Sequence, residues 1–402
     1  MPAKESLKTK IKKIQKVIRA EGIDGWLLYD FRGSNPFASG IMEIPSHMHC
    51  TRRMFYYIPA KGTPQKLIHN IESHNLDHLP GKKRLYVKWK TLDEQLGSIL
   101  VKADTIAMEY TPLNAIPYVS VVDAGTIELV KRQKVKVVSS ANLVQRFEAV
   151  WSPKQLRENK KVARVCLDTM HAAFAFIGQQ VKAGRRIHEF DVQQFIMNEF
   201  GKHNFVTDHP PNCSVNANSA NPHYEPTKKI NTPIRKGDFV LIDLWAKANN
   251  EDGVYSDITW TGYVGDTVPD KYIRIFDVVR EARDKALSFV EEAMKKKQTI
   301  RGCDVDDAAR AVIEKHGYGE YFIHRTGHSI GKMLHDNGAH LDNHETRDLR
   351  EIIPETSFTI EPGIYLPGKF GIRSEIDVYI SKDRKVANTA GPAQTEIVPI
   401  LK

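Results

Sequence analysis

The sequence predicts an α/β domain over residues 1–150 followed by an internally duplicated α+β domain over 151–402. Three observations carry this reading. Up to about residue 150, helical patterns alternate with short β-rich runs (GWLLYD, RMFYYIPA, KRLYVKW, DTIAMEY). Ser152-Pro153 then opens a long helical pattern, with a capping hydroxyl followed by proline in the first turn. Beyond it, one order of elements occurs twice. Helices over about 153–181 and 191–200 lead into KGDFVLIDLWAK and VYSDITWTGYVG, and helices over about 271–296 and 304–316 lead into ETSFTIEPGIYL and FGIRSEIDVYI. A chain of 402 residues is long enough for two or three domains.

The first helix is read from Leu7, Ile11, Ile14 and Ile18, at helical spacing among lysines, with Gly22 placed to end it. The same segment lacks the apolar core of a secretory signal. No apolar run approaches the roughly 20 residues that span a bilayer, and 27% of residues are charged, so no membrane partner is expected. Cys50, Cys166, Cys213 and Cys303 are far apart and form no C-x-x-C pair, which fits thiols in a reducing, cytoplasmic setting rather than a zinc cage. The net charge of +9 is spread along the chain without aromatic interleaving, so no nucleic-acid partner is expected either.

Two apolar strands of the second domain are interrupted by acids. Asp243 lies in FVLIDLW and Asp257 in YSDITWTGYV, with the turn-rich KANNEDG between them. A hairpin centred near Asn250 makes these two direct cross-strand partners, with Cβ atoms about 4.5–5.5 Å apart. Glu361 in SFTIEPGIY and Glu375 in IRSEIDVYI repeat the arrangement about Gly368, and each lies 118 positions after its counterpart in the first pair. Buried like charges cost several kcal/mol unless protonated, ion-paired or metal-bound. Two pairs at one offset fit bound divalent cations better than two separate structural acids.

A histidine is available to complete such a site. HRTGHSIGKMLHD places His324, His328 and His335 together, and His328 sits in a G-H-x-x-G frame that permits close backbone approach. Four carboxylates and one imidazole form a hard, oxygen-rich set suited to two Mn²⁺, Co²⁺ or Zn²⁺ ions. A structural zinc more often uses cysteines.

Taken in order, NPHYEPT, KGDFVLIDL, YSDITWTGYVG, HRTGHSIG and TIEPGIYLPGKFGIRSE resemble the pita-bread (creatinase/aminopeptidase P/prolidase) family of proline-specific metallopeptidases. The resemblance spans essentially the whole chain. It implies a creatinase-like N-terminal α/β domain with a mixed sheet. It also implies a pita-bread catalytic domain with an internal pseudo-twofold repeat and a curved antiparallel sheet. Asp243, Asp257, His328, Glu361 and Glu375 become the five ligands of a dinuclear centre, with manganese the first expectation and cobalt or zinc the alternatives. His223 resembles the active-site histidine near the substrate, His335 the one that contacts the scissile peptide, and Arg373 the arginine that completes the site. Glu361 is the candidate general base. The implied substrate is a peptide with proline at its second position, cut as a dipeptide or from a longer N-terminus, and the implied assembly is a homodimer.

The match has departures. Relatives usually carry Asp-x-Gly at the first ligand, whereas this chain has Asp243-Leu-Trp245 and a hairpin loop about three residues longer. Trp245 reads equally well as core filler or as pocket wall. Ser374 stands where an aliphatic residue is commoner, and His324 is assigned no chemistry. Three functions stay open at this point: a two-metal exopeptidase, a different hydrolase or lyase on the same scaffold, and a non-catalytic binding module.

Overall fold

The computed structural model describes residues 6–45 and 47–402, and the chain separates into two compact units, Met1–Glu148 and Ala149–Lys402. The first unit is built on a six-stranded mixed sheet of β1 (Gly25–Asp30), β2 (Met54–Pro59), β3 (Gln65–His69), β4 (Lys82–Tyr86), β5 (Thr105–Met108) and β6 (Lys136–Ser139), in the order β4-β3-β2-β1-β5-β6. β1 is buried along its length, which is why GWLLYD is a continuous apolar run and not an alternating one. Its even residues, Trp26 and Leu28, pack with α1 (Leu7–Ala20), α2 (Pro36–Ile41) and α5 (Ala141–Glu148). Its odd residues, Leu27 and Tyr29, pack on the other face with α3 (Trp89–Leu100) and α4 (Ala124–Lys131). Ile11, Ile14 and Ile18 form the buried stripe of α1, as their spacing predicts.

A buried acid sits at the centre of this unit. Glu109 is wholly enclosed, and its carboxylate accepts hydrogen bonds from the Trp26 indole (2.6 Å), the Asn35 amide (2.7 Å) and the Ser140 hydroxyl (3.0 Å). It is a buried carboxylate satisfied by neutral donors.

The second unit opens with α6 (Pro153–Lys182), whose N-terminus carries a full capping box between Ser152 and Gln155. α7 (Glu189–Lys202) follows, and both helices cover one face of β7 (Phe205–Val206), β8 (Asn212–Val215), β9 (Phe239–Ala248) and β10 (Ser256–Tyr263). The pattern then repeats with α8 (Asp270–Lys296), α9 (Gly302–Lys315) and β11 (Ser329–Ile330). The strands β12 (Ser357–Ile360), β13 (Gly363–Leu366), β14 (Phe370–Arg373), β15 (Ile376–Ile380) and β16 (Val386–Asn388) complete the second half. β17 (Val398–Pro399) returns to pair in parallel with β10. The start of β9 at Phe239 and of β12 at Ser357 reproduces the 118-position offset of the acids, so the duplication is structural as well as sequential. Among the described residues no helix is long and apolar enough to cross a membrane, and the four cysteines are free.

Glu109→Ala should leave three buried donors without an acceptor and cost about 3 kcal/mol of stability. The loss should appear in chemical denaturation and, by hydrogen exchange, should be confined to the first unit.

Candidate metal centre

Alternation along β9 decides where its acid points. Val240, Ile242 and Leu244 enter the core under α6 and α7, whereas Phe239 and Leu241 enter the core under α8 and α9. Asp243 continues that second face just where apolar cover ends, and on β10 Asp257 and Thr259 lie on the same side. The register differs from the expected one. Asp243 opposes Thr259, and Asp257 opposes Trp245. The two acids are therefore diagonal neighbours on one face, not direct partners. The turn explains the shift: its centre falls at Glu251, one residue later than Asn250. The Asn250 side chain accepts the backbone N–H of Asp252 (3.0 Å), and a Cβ on Gly253 would lie 2.2 Å from the Ala248 carbonyl oxygen. This tight closure sets the pairing.

The second hairpin keeps the predicted register. Ile360 opposes Ile376 and Gly363 opposes Arg373, which sets Glu361 against Glu375 in the gap between the two ladders. The turn passes through Gly368 at φ 69°, a left-handed conformation that suits glycine.

His328 reaches the same place from the segment leading into β11. Its backbone N–H donates to the Thr359 hydroxyl (2.9 Å), and that hydroxyl donates to Glu361 Oε1 (2.9 Å). The ring is held by Nδ1, which donates to the Ser329 carbonyl at 3.1 Å. Burial, reinforced by the charge of Arg325, pulls its pKa down to about 3, so the ring is neutral. A neutral ring with its proton on Nδ1 presents a bare lone pair at Nε2. That lone pair faces Glu361 Oε1 at 3.3 Å and Asp257 Oδ2 at 3.8 Å. Ligand atoms of Asp257, His328 and Glu375 all lie within 4.8 Å of one another.

Arg373 is the cation within this group. It ion-pairs with Asp243 through Nη2, donates from Nε to the Thr259 hydroxyl (3.0 Å) and from Nη1 to the Tyr365 hydroxyl (3.1 Å), and lies 3.8 Å from Glu361 Oε2. One guanidinium does not neutralise four carboxyl groups. Burial first, and then the neighbouring acids, push Asp257 and Glu375 well above the usual carboxylate range. Asp243 and Glu361 are also pushed up by burial, with Arg373 opposing.

The residues fit a bound cation. Asp243 Oδ1, Asp257 Oδ1 and Glu375 Oε1 are buried oxygens without a hydrogen-bond donor. Glu109 shows that this chain supplies donors to a buried acid that has only a structural role. Glu189 shows it again, accepting from Val215 N, Asn218 Nδ2, Tyr224 Oη and Thr232 N. Bare oxygens together with a bare imidazole nitrogen form an acceptor-only cage, which is the chemistry of a divalent metal site.

The other expected residues gather around this cage. The His335 ring packs edge-on against His328, with centroids 4.3 Å apart. His223 is solvent-exposed, and it is an electrostatic neighbour of both Glu361 and His335. His324, to which the sequence assigns no chemistry, has its Nε2 2.7 Å from the Tyr365 hydroxyl, which links it to Arg373. Ser374, in the gap between β14 and β15, accepts a hydrogen bond from the buried Arg283 guanidinium at 2.6 Å, which explains a polar residue at that buried position.

Sequence reasoning missed Thr259, Tyr365 and Asp377. The Thr259 hydroxyl donates to Glu375 Oε2 (2.7 Å), and Asp377 Oδ2 accepts the backbone N–H of Asp257 (3.0 Å) and the Ser256 hydroxyl (2.8 Å). Thr259 and Asp377 also lie 118 positions apart, each two residues after a ligand acid and so on its face. That signal was present, but a threonine in a strand draws no notice by itself.

A duplicated α+β unit with an acid-and-histidine cage between its halves defines a metal-dependent hydrolase scaffold. Residues 157–382, more than half of the chain, match metallopeptidase family M24, and the chain belongs to that family. The Xaa-Pro dipeptidase of Lactobacillus helveticus is 36% identical over 219 residues, 54% of this chain and 52% of that protein. The chain thus spans about half the length of the curated relatives it matches. In fold it is similar to the recombinant prolidase of Thermococcus sibiricus, with a TM-score of 0.62 at 23% identity over 98% of this chain and 100% of that one. It is also similar to the X-prolyl aminopeptidase of Caenorhabditis elegans, described as a cytosolic enzyme with a di-nuclear active site, with a TM-score of 0.63 at 15% identity over 98% of this chain and 63% of that one.

Thr259→Val removes the hydroxyl that orients both Glu375 and Arg373 while keeping the strand's shape. Affinity for Mn²⁺ should fall by about 10–100-fold, read by calorimetric titration of the stripped protein.

Proposed function

We propose that the protein is a dinuclear-metal exopeptidase that hydrolyses the bond between an N-terminal residue and a following proline, as a dipeptidase or an aminopeptidase. The observation that supports this most directly is the acceptor-only cage of Asp243, Asp257, His328, Glu361 and Glu375, read together with membership of family M24. These five residues would hold two divalent ions. Manganese is the first choice for a set with four carboxylates and no thiolate, with cobalt and zinc as alternatives. When bound, such ions supply Lewis acidity toward a peptide carbonyl and toward water.

The chain's own groups carry the remaining chemistry. Glu361 has Oε1 fixed by the Thr359 hydroxyl (2.9 Å) and Oε2 turned toward Arg373 (3.8 Å). So held at the edge of the cage, its carboxylate is the group placed to take a proton from the attacking water and pass it on. His335, against His328 at the edge of the cage, donates to the developing oxyanion, and His223 steadies the substrate from the exposed side. Arg373 holds Asp243 and, through Tyr365, ties that ligand to His324. An Xaa-Pro bond has no N–H, so a site for it needs no acceptor at that position. The free thiols agree with a cytoplasmic location, and the assembly is proposed as a homodimer.

His328→Ala should abolish activity and most metal binding, whereas His335→Ala should keep the metal and lose at least a hundredfold in rate, checked by metal analysis and steady-state kinetics. The defining measurement compares products when the Mn²⁺-loaded protein meets Ala-Pro and Ala-Pro-Ala. Cleavage of the dipeptide alone identifies a dipeptidase, and release of Ala with Pro-Ala an aminopeptidase. Two bound metals with neither peptide cut would overturn the proline reading.

A further inference from the structure

The segment that brings His328 to the cage has little regular structure of its own. Residues 322–327 form neither helix nor strand apart from a single bridge between Gly327 and Leu341, yet the chain is buried from Arg325 onward. Backbone groups enclosed without a ladder need partners from elsewhere. Two side chains of α9 supply them. Arg310 donates from Nη1 to the Phe322 carbonyl and from Nη2 to the His324 carbonyl, both at 2.9 Å. Its guanidinium carbon lies 4.1 Å from the centroid of the Phe322 ring. Asp306 Oδ1 accepts the Thr326 hydroxyl at 2.6 Å and the Thr326 backbone N–H at 2.9 Å.

Asp306 and Arg310 stand one helical turn apart and bind each other twice, Nε to Oδ2 at 3.1 Å and Nη2 to Oδ1 at 3.2 Å. Asp306 is fully enclosed, and the Arg310 side chain is 12% exposed. Stability alone does not explain such a pair, because well-packed apolar side chains often serve as well or better in its place. What it holds is more telling. Thr326 lies two residues before His328, and its carbonyl accepts the Glu361 backbone N–H at 2.7 Å. One residue is therefore tied to both the histidine and the glutamate whose Nε2 and Oε1 lie 3.3 Å apart. Leu341 shares the Thr326 N–H (3.0 Å), so part of the backbone has a second hold, whereas the hydroxyl is bonded to Asp306. At the other end of the clamp, the His324 carbonyl bound by Arg310 belongs to the residue whose ring meets Tyr365.

We infer that Asp306 and Arg310 are positioning residues for the metal centre: from α9 they set the separation of His328 and Glu361, and with it the affinity for divalent metal. This rests on the metal-centre reading above. Both act through the 322–326 segment, Arg310 on its carbonyls and Asp306 on Thr326. An acid and an arginine at i and i+4 are visible in DVDDAAR, but the spacing alone reads as an ordinary solvated helix pair.

The test titrates Mn²⁺ into stripped protein by calorimetry and follows the urea midpoint of the same samples. The proteins are wild type, Arg310→Met, Asp306→Asn, Thr326→Val, Thr326→Ser and Ile313→Ala. Ile313 is buried in the apolar core of the same helix and is no part of the clamp, so Ile313→Ala is the control for lost stability alone. Arg310→Met and Asp306→Asn should each weaken Mn²⁺ binding about tenfold or more, the size expected for groups that orient a ligand. Thr326→Val should weaken it in the same direction, and Thr326→Ser, which keeps the hydroxyl, should stay within about twofold of wild type. Ile313→Ala should lower the urea midpoint with Mn²⁺ affinity unchanged. A lowered midpoint with unchanged affinity in Arg310→Met or Asp306→Asn would make the pair merely structural and overturn the inference. An equal loss of affinity in Ile313→Ala would overturn it too. If Arg310→Met and Asp306→Asn do not fold, Thr326→Val against Thr326→Ser decides, and equal affinities count against the clamp. If wild type binds two Mn²⁺ yet cuts neither Ala-Pro nor Ala-Pro-Ala, the proline reading fails, and weakened binding in the variants still supports the clamp. If wild type binds no Mn²⁺, the metal-centre reading fails and the clamp with it.

Discussion

The second unit is organised around a charge imbalance. Four carboxyl groups converge inside an apolar shell, and the guanidinium that ion-pairs among them, that of Arg373, is committed to Asp243. The remaining oxygens face each other and a neutral imidazole, an arrangement that burial makes costly. Hydrogen bonding does not relieve it, because three of those oxygens meet no donor. Elsewhere in the same chain Glu109 and Glu189 are buried with full sets of donors, so the chain's ordinary treatment of a buried acid is on view for comparison. A cage of acceptors is relieved by protons or by a bound cation, and the nearby hydrogen bonds hold those acceptors still.

The duplication supplies that rigidity in an exchanged fashion. Thr259 belongs to the first half and orients Glu375 of the second, whereas Asp377 belongs to the second half and holds the backbone of Asp257 in the first. The backbone adds a further tie, since Glu375 N–H donates to the Thr259 carbonyl at 3.3 Å. Neither half positions its own ligands completely. The centre is a property of the seam between β10 and β15, which explains why equivalent residues two positions past the ligands are polar in both halves. The His324–Tyr365–Arg373 relay braces the remaining side, so that the charge holding Asp243 is itself held.

Much of this was legible from residue order. Acids interrupting apolar strands mark positions where burial and charge conflict, and a common offset of 118 ties two such conflicts into one explanation. The G-H-x-x-G frame marked His328, and the glycines are used as expected: a Cβ on Gly327 would lie 2.0 Å from the Thr359 carbonyl oxygen. The register of the first hairpin was misjudged by one residue at its turn, because Asn250 and Gly253 close the loop through a side-chain hydrogen bond and a close approach that spacing alone does not reveal. That single residue decides that Trp245, not Asp243, stands opposite Asp257.

The sequence by itself determined which acids and which histidine meet at the centre, because strand periodicity and a repeated interval are local properties that survive into any fold they permit. Only the tertiary structure decided their states. The proton on His328 is placed by the Ser329 carbonyl, the charge on Arg373 is apportioned among Asp243, Thr259 and Tyr365, and the Trp245 indole is fixed by an acid 37 positions away. The contacts of Arg373 with Asp243 and Thr259 and of Trp245 with Asp208 join groups distant along the chain, and their geometry is set by packing and turn closure rather than by the identity of either partner. Residue type carries the chemistry that a site is able to perform; the fold decides which lone pairs are left bare to perform it.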